Sequence, residues 1–306
     1  MENFSIYRYM KPGIVHFKAF PEVVRGEGPI VETLRKLVED DFWTAVEVGW
    51  MKDVKVRNEA AKLLETSHME VCYAPQPRMF SNKLNINAFD PVERKKALDM
   101  MRSGIDEAFD LGASCVRVFS GKDPGDEKRE EAKKIVIDSF KEICEYANRR
   151  GKIDLYMKVF DRDIDKCFLI GHFKDAADVA KEVHAEFKNF GVLADLSHFP
   201  LLDEKPEEAI PLVKDYPMHF HIGNCLFRDR SNPLYGDLQP RFGIPGGELD
   251  TEDVRDYFRL LLDLKLFNPE DRPVMSVEVR PLLAEETSEV IIANAKRTIK
   301  EAWACI

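Results

Sequence analysis

Apolar positions along this chain follow two periods that take turns. Short runs read as strands: Ile14–Phe20 (IVHFKAF), Thr44–Trp50 (TAVEVGW), His68–Tyr73 (HMEVCY), Cys115–Ser120 (CVRVFS), Ile153–Phe160 (IDLYMKVF), Gly191–Leu196 (GVLADL), Met218–Ile222 (MHFHI) and Pro273–Val279 (PVMSVEV). Longer segments with helical spacing separate them: Ile30–Asp41, Val54–Thr66, Asp90 to about Leu111, Asp126–Arg150, Phe173–Phe190, Thr251–Leu266 and Glu285–Ala304. A helical segment is also expected between Leu196 and Met218. Asp90-Pro91 places an N-cap before proline at the first helical position, Thr251 reads as another cap, and Gly112 and Gly151 are stop signals.

Eight strand–helix units in strict alternation imply a parallel sheet. With no glycine-rich dinucleotide turn, they favour a closed (β/α)8 TIM barrel over a doubly wound sheet. No linker divides the chain, so residues 1–306 read as one domain. The stretch Arg228–Leu249 is rich in Gly and Pro and unusually long, which marks the region of about 225–250 as a lid candidate.

Alternation within each strand assigns its faces. Leu155, Met157 and Val159 point to the helices, so Tyr156, Lys158 and Phe160 point to the axis. The same count turns Leu193, Asp195, His219, His221, Ser276, Glu278 and Arg280 inward, and with them His16, Glu47 and Arg117. Barrel interiors are normally filled by branched apolar side chains. A lone buried charge costs several kcal/mol unless it is paired or bound to metal. Any one of these residues, His16 or Glu47 for example, reads alone as a hydrogen-bonded structural group. So many on separate strands point to a site, with Asp195, His221 and Glu278 at C-terminal strand ends. His198 lies beyond its strand end, where it can lean over a ligand. His16, Glu47, Trp50 and Arg117 are candidate substrate contacts.

Composition narrows the classes. The 306 residues are 44% hydrophobic, enough for a large core, and carry a formal charge of −10. That balance argues against nucleic acid, since basic residues are interleaved with acids rather than clustered. Cys72, Cys115, Cys144, Cys167, Cys225 and Cys305 form no C-x-x-C pair, and Cys115 and Cys225 read as core packing. A reducing, cytoplasmic setting without disulfides is expected. No signal core and no long apolar run predict an N-terminal leader or a membrane span. Self-association is left open.

Four motifs carry a resemblance over nearly the whole chain: Asp195-Leu-Ser-His198, His219-Phe-His221, Gly243-Ile-Pro-Gly-Gly-Glu-Leu-Asp250 and Ser276-Val-Glu278-Val-Arg280. In this order they resemble the xylose-isomerase-like TIM-barrel superfamily, including sugar isomerases and tagatose/psicose 3-epimerase-like enzymes. The resemblance implies one divalent metal, Mn²⁺, Mg²⁺ or Co²⁺, on Asp195, His221 and Glu278. It makes His198 a substrate-contacting or proton-handling residue and Arg280 a contact to a small sugar; as catalytic residues, Glu278 is the candidate base, with Lys158 or His198 as its counterpart. It also implies a middle-strand glutamate as fourth ligand, and this chain has Lys158 there. Lys158 can then be a base, a cation filling the metal's place, or the mark of an altered, non-catalytic paralogue. Asp161 is a substitute ligand only if the strand register shifts. The leading reading is an isomerase or epimerase moving a proton next to a carbonyl. A lyase or dehydratase on oxidised sugars, of the 3-keto-glycoside or inosose type, is the alternative.

Overall fold

The computed structural model describes residues 5–306, and its eight strands close into a parallel barrel in chain order. They are β1 Lys11–Val15, β2 Ala45–Val48, β3 Glu70–Tyr73, β4 Cys115–Val118, β5 Asp154–Lys158, β6 Phe190–Asp195, β7 Met218–Gly223 and β8 Val274–Glu278. β8 returns to β1 through the pairs Lys11↔Val274 to Ile14↔Val277, so the sheet has no free edge.

Outward positions make the core between barrel and helices. Val46, Val116, Leu155, Met157, Val192, Ala194, Phe220, Ile222, Met275 and Val277 are fully buried there. Each large apolar side chain so buried contributes roughly 1.5–3 kcal/mol. Helix Asp126–Arg150 presents Val136, Phe140, Ile143, Cys144 and Ala147 to that layer, with Asp126 and Glu127 at its start and Arg149 and Arg150 at its end. Those charges complement the helix dipole. Helix Pro91–Asp110 begins as its sequence predicts: Asp90 accepts a hydrogen bond from the Val92 N–H at 2.8 Å. β6 and β7 approach so closely at Gly191 that a Cβ there would lie 2.1 Å from the Pro217 carbonyl oxygen.

Several elements differ from the sequence pattern. Helix Thr251–Asp263 is capped by Asp250, not Thr251, through a capping box completed by Asp253. The segment expected to be helical to Phe190 stops at His184, and Phe190 opens β6. A short helix, Gln76–Ser81, occupies the loop after β3, and only short helical turns link β6 to β7. No helix among the described residues is long and apolar enough to cross a membrane.

The first strand is shifted toward the N-terminus. Pairing with β2 ends at Val15, and residues His16–Ala19 form one helical turn. His16 is therefore not an axis-facing strand residue. Its Nε2 lies 2.8 Å from Thr33 Oγ1 on helix Ile30–Val38, beside the Phe20 ring. Burial lowers its pKa to about 3. The unfolded chain therefore binds a proton that folded His16 refuses, and this contribution to stability is lost as pH falls from about 6.5 toward 3. His16→Gln should lose less stability over that interval than the native chain, by more than about 1 kcal/mol in urea unfolding. Parallel stability curves for the two proteins would remove His16 from the acid limb.

Candidate functional site

At the C-terminal ends of the strands the inward side chains meet in one charged cluster. Lys158, the last residue of β5, places Nζ 2.8 Å from Asp195 Oδ2 and 2.9 Å from Glu278 Oε1. Arg117, on β4, reaches Glu278 Oε1 at 2.7 Å through Nη1 and Glu47 Oε2 at 3.0 Å through Nε. Glu47, on β2, also accepts from His221 Nε2 at 2.7 Å and His219 Nε2 at 2.8 Å. All of these residues are buried. The network crosses the barrel, so each strand holds its ionisable group against a partner on another.

The charges set each other's ionisation. Burial alone would protonate Glu278, but Lys158, Lys18 and His221 outweigh it and hold the carboxyl well below its usual range. Asp195 behaves alike: burial opposes its charge, and Lys158, His221 and His198 more than offset it. Burial disfavours the Lys158 ammonium, yet Asp195 and Glu278 raise its pKa. His221 is raised to about 9 because Glu47, Asp195 and Glu278 outweigh its burial.

The loops complete the centre. Asp195 caps the turn Leu196–His198: its Oδ1 accepts from the Ser197 N–H at 3.0 Å and from Ser197 Oγ at 2.7 Å. That turn carries His198 back over the axis. His198 Nε2 is 3.8 Å from Asp195 Oδ2 and 3.6 Å from Asp237 Oδ1, and the ring stands edge-on to Phe160. Neither ring nitrogen has a hydrogen-bond partner, although the residue is 1% exposed.

The segment after β7 covers the centre. Asn224 clamps both its ends, accepting from the Cys225 and Leu249 N–H groups at 2.9 Å each. Within the segment, Gln239 Nε2 donates to Ser197 Oγ at 3.0 Å, and Asp237 pairs with Lys166 at 3.0 Å. The stretch 225–250 is thus bonded to the turn after β6 through Ser197 and to the loop after β5 through Lys166.

Of the sequence-predicted residues, the structure brings together Glu47, Arg117, Lys158, Asp195, His198, His221 and Glu278. Trp50, two residues past the end of β2, makes other contacts: its Nε1 donates to the Val24 carbonyl, and Lys52 and Arg78 flank its ring. Arg280 is half-buried, with its backbone N–H bonded to Gln239 O at 2.7 Å. Asp161 is a loop staple, accepting from the backbone of Ile164, Asp165 and Lys166. Sequence reasoning missed Lys18, whose Nζ is 3.6 Å from Glu278 Oε2 and whose side chain is 21% exposed. The alternation that singled out His16 carries Lys18 as well. Asp237 and Gln239 lie in a loop without periodicity and gave no signal.

Among the described residues, Asp195, His221 and Glu278 offer one donor atom each, all within 4.8 Å of one another, a grouping that could hold a metal ion. Two carboxylates and an imidazole suit a hard or borderline divalent ion. His221 Nδ1 lies 3.1 Å from Glu278 Oε1 and 3.7 Å from Asp195 Oδ2 but forms no hydrogen bond. The three donors therefore face one small volume. The Lys158 ammonium lies against two of them, at 2.8 Å from Asp195 Oδ2 and 2.9 Å from Glu278 Oε1. Two further groups share His219: Glu47 with His219 and His221, and, deeper in the barrel, Cys72 with Cys115 and His219.

Removing Arg117 would strand Glu47 and Glu278 in the interior. Arg117→Met is expected to cost roughly 3–5 kcal/mol in urea unfolding, the usual cost of breaking one side of a buried pair. A loss below about 1 kcal/mol would mean that the remaining cations already satisfy both carboxylates.

Comparison with known proteins agrees with this architecture. Solved structures similar to the chain include D-psicose 3-epimerase from Clostridium cellulolyticum H10, at 18% identity, 96% coverage of each chain and a TM-score of 0.65. The IolI protein with a bound zinc atom aligns at 18% identity over 97% of this chain and 99% of its own, with a TM-score of 0.72. The 3-keto-D-glucoside 4-epimerase of E. coli aligns at 17% identity over 95% and 99%, with a TM-score of 0.66. No match was found among curated proteins. The model of the xylose isomerase-like TIM barrel family matches residues 37–291, so the chain belongs to that family.

Proposed function

We propose that this chain is a sugar or keto-sugar isomerase or epimerase that moves a proton on a carbon next to a carbonyl. The observation that carries the reading is the pairing of an ionised Glu278 with several cations at one rim of the barrel. Taking a proton from such a carbon needs a carboxylate base and positive charge where the enediolate oxygen develops. Glu278 is the base. Arg117, Lys158 and Lys18 surround it with positive charge. His198, buried with both ring nitrogens free, is the group that returns or accepts the second proton. The similar structures described as epimerases of psicose and of a 3-keto-glucoside support a polyol with a carbonyl as the substrate class.

A divalent ion on Asp195, His221 and Glu278 would polarise the same oxygens. The donor set and the zinc-bound neighbour support such an ion as one occupant of this position. The proton transfers assigned to Glu278 and His198 do not depend on it. The cover segment has to open for substrate to reach Glu278, and its clamped ends make Asn224 the hinge anchor.

The test is turnover of a panel of keto-sugars in D₂O, followed by NMR and mass spectrometry. The expected result is deuterium at the carbon next to the carbonyl and a product of unchanged skeleton. Glu278→Gln should lower kcat roughly 10²–10⁴-fold, the range for loss of a general base. Loss of water or an aglycone would replace this reading with an elimination. Unchanged turnover in Glu278→Gln would refute the assigned base.

A further inference from the structure

We infer that Lys158 is the resident cation of this centre and that a divalent ion can enter only by displacing it. The inference concerns the same site as the proposed function but does not depend on the reaction, because its readout is ion uptake. It rests on three geometric observations. Lys158 Nζ bridges Asp195 Oδ2 and Glu278 Oε1 at 2.8 and 2.9 Å, contacting both carboxylates of the donor group at once. The third donor, His221 Nδ1, is turned to the same two oxygens at 3.7 and 3.1 Å and makes no hydrogen bond. Lys158 is also confined: it is 2% exposed, and its ammonium lies 5.2 Å from the centroid of the Phe160 ring, which is itself packed by Phe80, Phe119 and Phe168.

An ion held by the three donors would therefore share its volume with an ammonium. The two cations repel strongly in a site that water does not screen. One has to leave, and Lys158 is held in place by burial at the end of its strand, by two carboxylates and by the Phe160 ring. Lys158 also supplies what an ion would supply electrostatically, a positive charge on two carboxylates. It does so as a hydrogen-bond donor that cannot accept a ligand oxygen. Substrate oxygens would then meet N–H donors of Lys158, Arg117 and Lys18 in place of an open coordination position.

Mn²⁺ is the probe of choice. It prefers oxygen-rich sites; the thiol-containing Cys72, Cys115 and His219 group and the imidazole-rich Glu47, His219 and His221 group, whose one carboxylate already pairs with Arg117, are poorly matched to it. The full chain is equilibrated with Mn²⁺, dialysed, and assayed for bound metal, with titration calorimetry and thermal melting alongside. The native chain should retain no stoichiometric Mn²⁺, and a chelator should leave its melting temperature unchanged. Lys158→Glu and Lys158→Met remove the resident charge. Either variant, if folded, should bind one Mn²⁺ at least roughly tenfold more tightly than the native chain and be stabilised by it. One tightly held Mn²⁺ per native chain would overturn the inference. So would folded variants that bind Mn²⁺ no better than the native protein. If neither variant folds, the native measurement decides alone. A protein inactive on every keto-sugar but closed to Mn²⁺ would defeat the proposed function and leave this inference standing.

Discussion

Opposite charges are held against one another across the barrel axis, and the geometry of the rim depends on that pairing. A parallel barrel usually fills its interior with branched apolar side chains in layers. Here Glu47 and Glu278 are joined by one guanidinium, and Asp195 and Glu278 by one ammonium. Desolvating so many ions would be prohibitive one at a time. Together, on strands β2, β4, β5, β6, β7 and β8, each is paired with an opposite charge. The same closure fixes the orientation of the charged side chains on these strands, because a rotation at one strand would strand a charge at another.

The cover follows from this arrangement. Asp195 caps the turn that carries His198, Ser197 passes that order to Gln239, and Asn224 pins both ends of the segment. The ionisable groups on the barrel wall are thus fixed by one another, while the segment over them is tied down at a few polar contacts. That division suits proton transfer next to a carbonyl, in which water has to be kept from the enediolate.

Much of this was legible in the chain because strand parity is a strong signal when one face is apolar. Alternation in Leu155-Tyr-Met-Lys158 and Met218-His-Phe-His221 placed Lys158, His219 and His221 on the axis, where they are found. It failed at His16, since Val15 is the last paired residue and a helical turn follows; parity has no meaning past the end of a strand. Asp161 illustrates the same limit, as a loop acid that binds three backbone N–H groups. The Asp250 cap was displaced by one residue because Asp and Thr both suit that position, and only the reciprocal bond with Asp253 chooses between them. Asp237 and Gln239 were invisible: their positions depend on how a non-periodic loop lies over the rim.

Lys158 carries the most weight in this account, since the same three donors serve an ion or an ammonium but not both. The most direct test is a crystal structure of the native chain grown with Mn²⁺, measured for anomalous scattering. The account predicts no anomalous peak between Asp195, His221 and Glu278, and clear density for the Lys158 ammonium bridging the two carboxylates. A strong peak among those three donors, with Lys158 swung away from them, would contradict it.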